Sequence, residues 1–166
     1  CWFQTNLNTT IFANGDAIPL IYDAQEWLDQ GNAEGAAYRT IESDDIQSEQ
    51  FDRGLLYNWY SVVDERGVCP SGFHVSSETD WDVLGSFLGS NDADPIRAQE
   101  SWYENYTPNG SNSAGLSVMS QHLIIAENGN NNNSFNSTSS NGSYFGIGAN
   151  FWTSSATSAS HARITD

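Results

Sequence analysis

Lysine is missing from this sequence altogether, and five arginines stand against 21 aspartates and glutamates, for a formal charge of -16. Nucleic acids and anionic lipids are held by basic faces that neutralise phosphate. Both classes of partner are therefore excluded. Long apolar runs are missing too: nothing approaches the roughly 20 residues of a membrane helix, and no stretch reads as a signal peptide. Membrane insertion is not expected, and the abrupt start at Cys1-Trp2 reads as that of a mature or partial piece of something longer. Two cysteines, Cys1 and Cys69, make one disulfide available, and nothing in the sequence decides between that bond and two separate thiols. His74, His122 and His161 are too scattered for metal-ligand spacing. The Ser, His and Asp residues form neither a nucleophile elbow nor an oxyanion motif.

What the chain has instead is aromatic surface to bury. Aromatic residues make up 13% of 166 positions and include six tryptophans, enough for the core of one domain with a lysine-free polar coat. The carboxylates crowd into the first hundred positions, whereas the last third is Asn, Ser, Thr and Gly with hardly any charge. The two parts of the surface are thus expected to do different work.

The chain is organised around residues 53–89. Leu55, Leu56, Trp59, Tyr60, Val62 and Val63 recur at three- and four-residue spacing, which predicts a short amphipathic helix ended at Arg66-Gly67. Cys69-Pro70-Ser71-Gly72 is turn chemistry, and Phe73-His74-Val75 suits a short extended piece. Ser77 is placed to cap a second helix, with Asp80 completing a variant capping box. Trp81, Leu84, Phe87 and Leu88 would form its buried face and Gly89 its C-terminal stop. Two helices with large aromatics between them would then seed the core.

Before that stretch, residues 2–7 suggest a first strand, Asn14-Gly15-Asp16 a tight turn, and residues 17–21 an extended run in which Pro19 favours an edge. Asp23 with Glu26 signals a short helix carrying Trp27 and Leu28 and stopped by Gly31. Residues 36–41 suit a strand and 42–52 a solvated acidic loop. After it, residues 90–95 read as loop, 96–106 as a mixed segment, 109–113 as a turn and 116–125 as a strand. The Asn- and Ser-rich tract 129–142 cannot bury anything and reads as an insertion, because 144–148 and 151–155 are apolar and β-prone again. No internal repeat is evident.

The motifs W-F-Q-T-N-L at 2–7, N-G-D-A-I-P-L at 14–20, G-L-L-Y-N-W-Y at 54–60, C-P-S-G-F-H-V-S-S-E-T-D-W at 69–81 and F-W-T-S-S at 151–155 occur in a fixed order. Together they resemble the Fibrobacter succinogenes major paralogous domain family, found in surface and secreted bacterial proteins and in some phage proteins. The resemblance spans almost the whole chain. It implies an α+β fold of the C-type-lectin-like class, related to formylglycine-generating enzymes: one domain over 1–166 with a twisted, mostly antiparallel sheet, two main helices and long loops. The chain departs from the family pattern at Phe73, where Trp is usual, at Ser76, where Pro is frequent, and at Met119-Ser120-Gln121-His122, where a Pro-Gly-Gly turn is common. The closing strand that usually follows the region of Arg163 is also missing, which implies a fragment or an edge supplied by another segment.

Catalysis is not expected. The related enzymes need cysteines near the C-terminal part of the domain, and Cys1 and Cys69 fall elsewhere. Calcium-dependent lectins carry carboxylate and amide ligands beside a Trp-Asn-Asp strand, whereas Phe151-Trp152-Thr153-Ser154-Ser155 offers no carboxylate. Glu42-Ser43-Asp44-Asp45 and Asn91-Asp92-Ala93-Asp94 carry hard oxygen donors, but a solvated acidic loop is the commoner use of such runs. No cofactor or metal is expected. His74, beside the helix cap, reads as a hydrogen-bonded structural residue. Trp2, Trp27, Trp59, Trp81 and Trp152 read as core; Trp59 and Trp152 could also serve as sugar-stacking platforms, although a Trp in an apolar run is more often buried. The Asn-x-Ser/Thr triplets at Asn132, Asn136 and Asn141 signify little in a bacterial or phage protein.

The expected binding surface is one rim of polar loops, 129–142 together with 156–161. Its candidate contacts are Asn130, Asn132, Phe135, Asn136, Asn141, Tyr144, Ser158 and His161, with Phe145 adjoining. The plainer alternative for these loops is a spacer without a ligand. The expected function is a non-catalytic extracellular recognition or adhesion module on a bacterial surface or phage virion. Its partner would be a glycan or surface-protein receptor, and oligomeric display would supply avidity. The alternative is a structural subunit or decoration domain of a filament, sheath or capsid, contacting neighbouring subunits through an unpaired sheet edge.

Overall fold

Asp23 starts the first helix, α1 (Ala24–Asn32), by accepting a hydrogen bond from the Glu26 amide at 2.9 Å. The computed structural model containing it describes residues 1–40, 54–89, 93–100, 109–119, 151–158 and 161–165, with backbone alone for 156–158 and 161–165. Trp27 and Leu28 of α1 are buried. Gly31 does not stop the helix, which runs on through Asn32. The reversal comes later, where Glu34 adopts φ 57° and the Gly35 amide donates to Gln30 O.

Strand β1 (Tyr38–Thr40) pairs antiparallel with β2 (Leu55–Tyr57), with Tyr38 opposite Tyr57 and Thr40 opposite Leu55. This corrects the expectation of one amphipathic helix over 55–63. Gly54, at φ 77°, turns the chain into the ladder, β1 takes up the backbone of 55–57, and Asn58 then caps a one-turn helix, α2 (Trp59–Val62). Apolar spacing could not separate these outcomes, since a buried strand followed by a turn of helix gives the same short pattern. Val63 lies past the helix and is exposed, and Gly67 closes the following turn by donating to Asp64 O.

The Cys-Pro turn forms as expected, with the Phe73 amide donating to Pro70 O and Gly72 at φ 87°. Helix α3 (Glu78–Leu88) has the reciprocal capping box of Ser77 and Asp80, and Gly89 ends it in the left-handed conformation at φ 69°. Its inward face is narrower than expected. Leu84 is buried and Trp81 and Leu88 are half-buried, but Phe87 is 84% exposed. At 100° per residue Phe87 lies roughly 90° from the centre of the stripe formed by the other three, beyond its edge.

The core does not lie between α2 and α3. It is built where the N-terminal segment meets β1 and β2: Phe12, Ile18, Ala36, Tyr38 and Val68 form one cluster, with Leu7, Leu55, Tyr57, Cys69 and Val75 packed on it. Ile21, Trp27 and Ala37 form a second. The turn at 14–16 is present, with the Phe12 amide donating to Asp16 O at 2.8 Å. Residues 17–21 are extended, bridging Ala17 to Ile11 and Leu20 to Tyr38. Residues 2–7 are not a strand: the chain bends at Gln4 and Thr5 and meets β2 through the Leu55 amide, which donates to Leu7 O.

Toward the C-terminus the expected strand over 116–125 is, within its described part, a single bridge between Val118 and Arg97. The turn expected at 109–113 falls slightly later, closed by the Gly115 amide on Asn112 O. Strands β3 (Phe151–Ser158) and β4 (His161–Thr165) form an antiparallel pair, with Phe151 opposite Thr165 and Ser158 opposite His161, and the register shifts between them. Residues 156–158 and His161, expected in a polar loop, are thus ladder positions. A backbone partner across the turn suffices to order a strand too polar to announce itself. Among the described residues the architecture is α+β, with three helices and two two-stranded antiparallel sheets. None of these helices is long and apolar enough to cross a membrane.

Candidate functional site

The base of the β3–β4 hairpin is fixed from several sides. Trp152 Nε1 donates to Tyr57 O at 2.7 Å, and its ring lies 5.7 Å from that of Trp59. Phe151 packs on Trp81 at 5.3 Å, and Trp81 on Trp2 at 4.8 Å. The Ser154 amide donates to Ser76 O, and Ser155 Oγ accepts from the Glu78 amide at 3.1 Å. That last bond satisfies one of the amides that the first turn of any helix leaves without an intrahelical partner. Strand and helix are therefore tied at the helix end, not merely stacked. Thr153, next after the two aromatic anchors, is fully buried.

Beneath the hairpin lies a buried polar node. Asn58 Oδ1 accepts from the Ala37 amide at 3.0 Å and the Ser61 amide at 3.0 Å, while Asn58 Nδ2 donates to Gly35 O at 2.8 Å. Ser61 Oγ adds bonds to the Ala37 backbone on both sides, accepting from its amide and donating to its carbonyl. Ala37 and Ser61 are fully buried. Tyr57 holds the N-terminal segment in the same manner: its hydroxyl donates to Thr9 O at 2.7 Å and accepts from the Thr9 amide at 2.8 Å. Burial raises its pKa well above the ordinary tyrosine value, against the opposing pull of the Thr9 backbone.

A Ser, an Asp and a His do meet at the start of α3, in an order unsuited to nucleophilic chemistry. Asp80 Oδ2 accepts from Ser77 Oγ and the Ser77 amide, each at 2.7 Å, and lies 3.2 Å from His74 Nε2. The carboxylate stands between hydroxyl and imidazole, whereas a hydrolytic triad needs the imidazole in the middle. Its role is to cap: the hydrogen bonds from Ser77, and then that to His74, hold its pKa down at about 2. His74 is hydrogen-bonded beside the cap, as expected, and largely exposed. Among the described residues no three His, Cys, Asp or Glu side chains are placed to hold a metal ion. Asp94 is engaged by the Ser111 amide, and 42–45, 91–92 and His122 lie outside the described residues.

Of the residues expected to bind, Ser158 and His161 are brought opposite one another at the tip of the hairpin. Asn130, Asn132, Phe135, Asn136, Asn141, Tyr144 and Phe145 lie outside the described residues. Trp27 is buried, whereas Trp2, Trp59, Trp81 and Trp152 are half-buried and linked in ring contacts. Cys1 and Cys69 are free thiols, the first exposed, and burial raises the pKa of the second, which keeps it protonated and unreactive. Sequence reasoning passed over Tyr57, Asn58 and Ser61. Only Asn58 left a trace, as a cap-forming residue inside an apolar run.

Comparison with known proteins adds one family. The model of the Fibrobacter succinogenes major domain matches residues 1–165. No curated protein and no solved structure matches the chain.

Proposed function

Because the chain belongs to the Fibrobacter succinogenes major domain family, we propose that it is a non-catalytic recognition module of C-type-lectin-like fold, acting outside the cell on a bacterial surface or virion. The observation that carries this reading is the anchorage of the hairpin. Its base is held by Trp152, Phe151 and Ser155 against β2, α2 and α3, and its other end brings Ser158 opposite His161. A rigid base under a strand end rich in Ala, Thr and Ser suits contact by shape and hydrogen bonding, with little ordering cost on binding. The acidic, lysine-free surface favours neutral or cationic ligands over phosphorylated ones. A glycan or a surface-protein receptor meets that description.

The test is a glycan and surface-protein array probed with the whole chain and with Ser158→Glu and His161→Glu. Discrete ligands retained by the parent chain and lost in both variants, with unchanged circular dichroism, are expected. Ligands bound equally by all three chains would move recognition away from the hairpin tip.

A further inference from the structure

The N-terminal segment is held very unevenly along its length. From Asn6 onward it is fastened. The Leu55 amide donates to Leu7 O at 3.0 Å, Tyr57 takes both backbone groups of Thr9, and Leu7 packs on the main core cluster. The chain also passes so close to Gly54 that a β-carbon there would lie 2.7 Å from Asn6 Cβ and Leu7 O. Before Asn6 the attachment changes character. Gln4 and Thr5 are exposed bends, and residues 1–5 make no hydrogen bond to the other described residues. Trp2 and Phe3 are held by ring contacts, Trp2 on Trp81 at 4.8 Å and Phe3 stacked on Phe73 at 4.1 Å, with both Phe rings 41% exposed.

We propose that residues 2–5 are a hinged strap, pivoting at Gln4-Thr5, whose release uncovers the rings of Phe73 and Trp81. The occupant of that face is the strap's own pair of rings. Two aromatic contacts favour the closed arrangement over the open one by roughly 10- to 100-fold. The open form is then populated at about 1–10%, well within reach of exchange measurements. Lifting the strap disturbs no hydrogen bond among the described residues, since Leu7 and Thr9 stay clamped and Trp81 Nε1 keeps its bond to Ser76 Oγ. It exposes rings that also seat Phe151 at the foot of the hairpin. The strap therefore controls access to a surface continuous with that foot. The inference stands on these contacts alone, whatever the hairpin tip binds.

The test is NMR relaxation dispersion on the indole groups of the intact chain. Microsecond-to-millisecond exchange at Trp2 and Trp81, with a flat profile at Trp27, is expected. Flat profiles at all three would overturn the proposal. A second measurement uses the double variant Trp2→Ser, Phe3→Ser with the apolar dye ANS. A several-fold rise in dye fluorescence with unchanged far-ultraviolet circular dichroism and a cooperative thermal transition supports the strap. Loss of cooperative folding in that variant, or no rise in fluorescence, would show the two rings to be a fixed part of the core.

Discussion

At Asn58 one side chain both caps a helix and completes a sheet, since its amide bonds α2 through Ser61 and the turn before β1 through Gly35 and Ala37. Asn58→Ala removes the cap and strands the half-buried Gly35 carbonyl, at a cost of about 2 kcal/mol. Urea denaturation should show a lower midpoint with an unchanged slope. Ser61→Ala should be non-additive with it, because both act on Ala37. Asp80 gives a prediction of another kind. Its pKa in the folded chain, about 2, lies below the ordinary 3.8, so its ionised form stabilises the fold above the ordinary value. That contribution is lost as pH falls from about 4 to about 2. Thermal melts across this range should fall more steeply for the parent chain than for Asp80→Asn; equal slopes would show that the cap is not the titrating element.

Among the elements, α3 separates what periodicity reveals from what packing decides. Its capping box and its αL glycine were legible in Ser77, Asp80 and Gly89, because caps are local chemistry between residues a few positions apart. Its buried face was not fully legible. Leu84→Ala should cost about 2–5 kcal/mol, whereas Phe87→Ser should shift stability by no more than about 0.5 kcal/mol. Comparable losses at the two positions, measured by chemical denaturation, would contradict the observed orientation of the helix. The 55–63 stretch teaches the same lesson more strongly. Leu55 and Leu56 open an apolar pattern that fits a helix, but the ladder with Arg39 and Thr40 claims their backbone first. The candidate site behaves alike. Phe151 and Trp152 were readable as an apolar strand, while Ser158 and His161 became strand residues only through a partner across the hairpin.

For the whole molecule, charge is the dominant global property. A net -16 without a single lysine means that folding brings like charges together, and added salt screens their repulsion. The melting temperature should therefore rise as sodium chloride is raised from low concentration to about 0.5 M, by more than it does for a near-neutral domain of equal size; a fall would show that the ion pairs of Arg66 with Asp64 and Asp16 outweigh the repulsion. The sequence by itself determined this charge, the family, the caps and the tight turns, because each depends on composition or on residues close together along the chain. Tertiary structure alone decided which apolar segments became strand or helix, which tryptophans are covered, and that Tyr57 and Asn58 would be the fastening points of the fold. Those outcomes rest on pairings such as Tyr57 with Thr9 and Ala37 with Asn58, and backbone groups far apart in the chain are satisfied only once folding has brought them together.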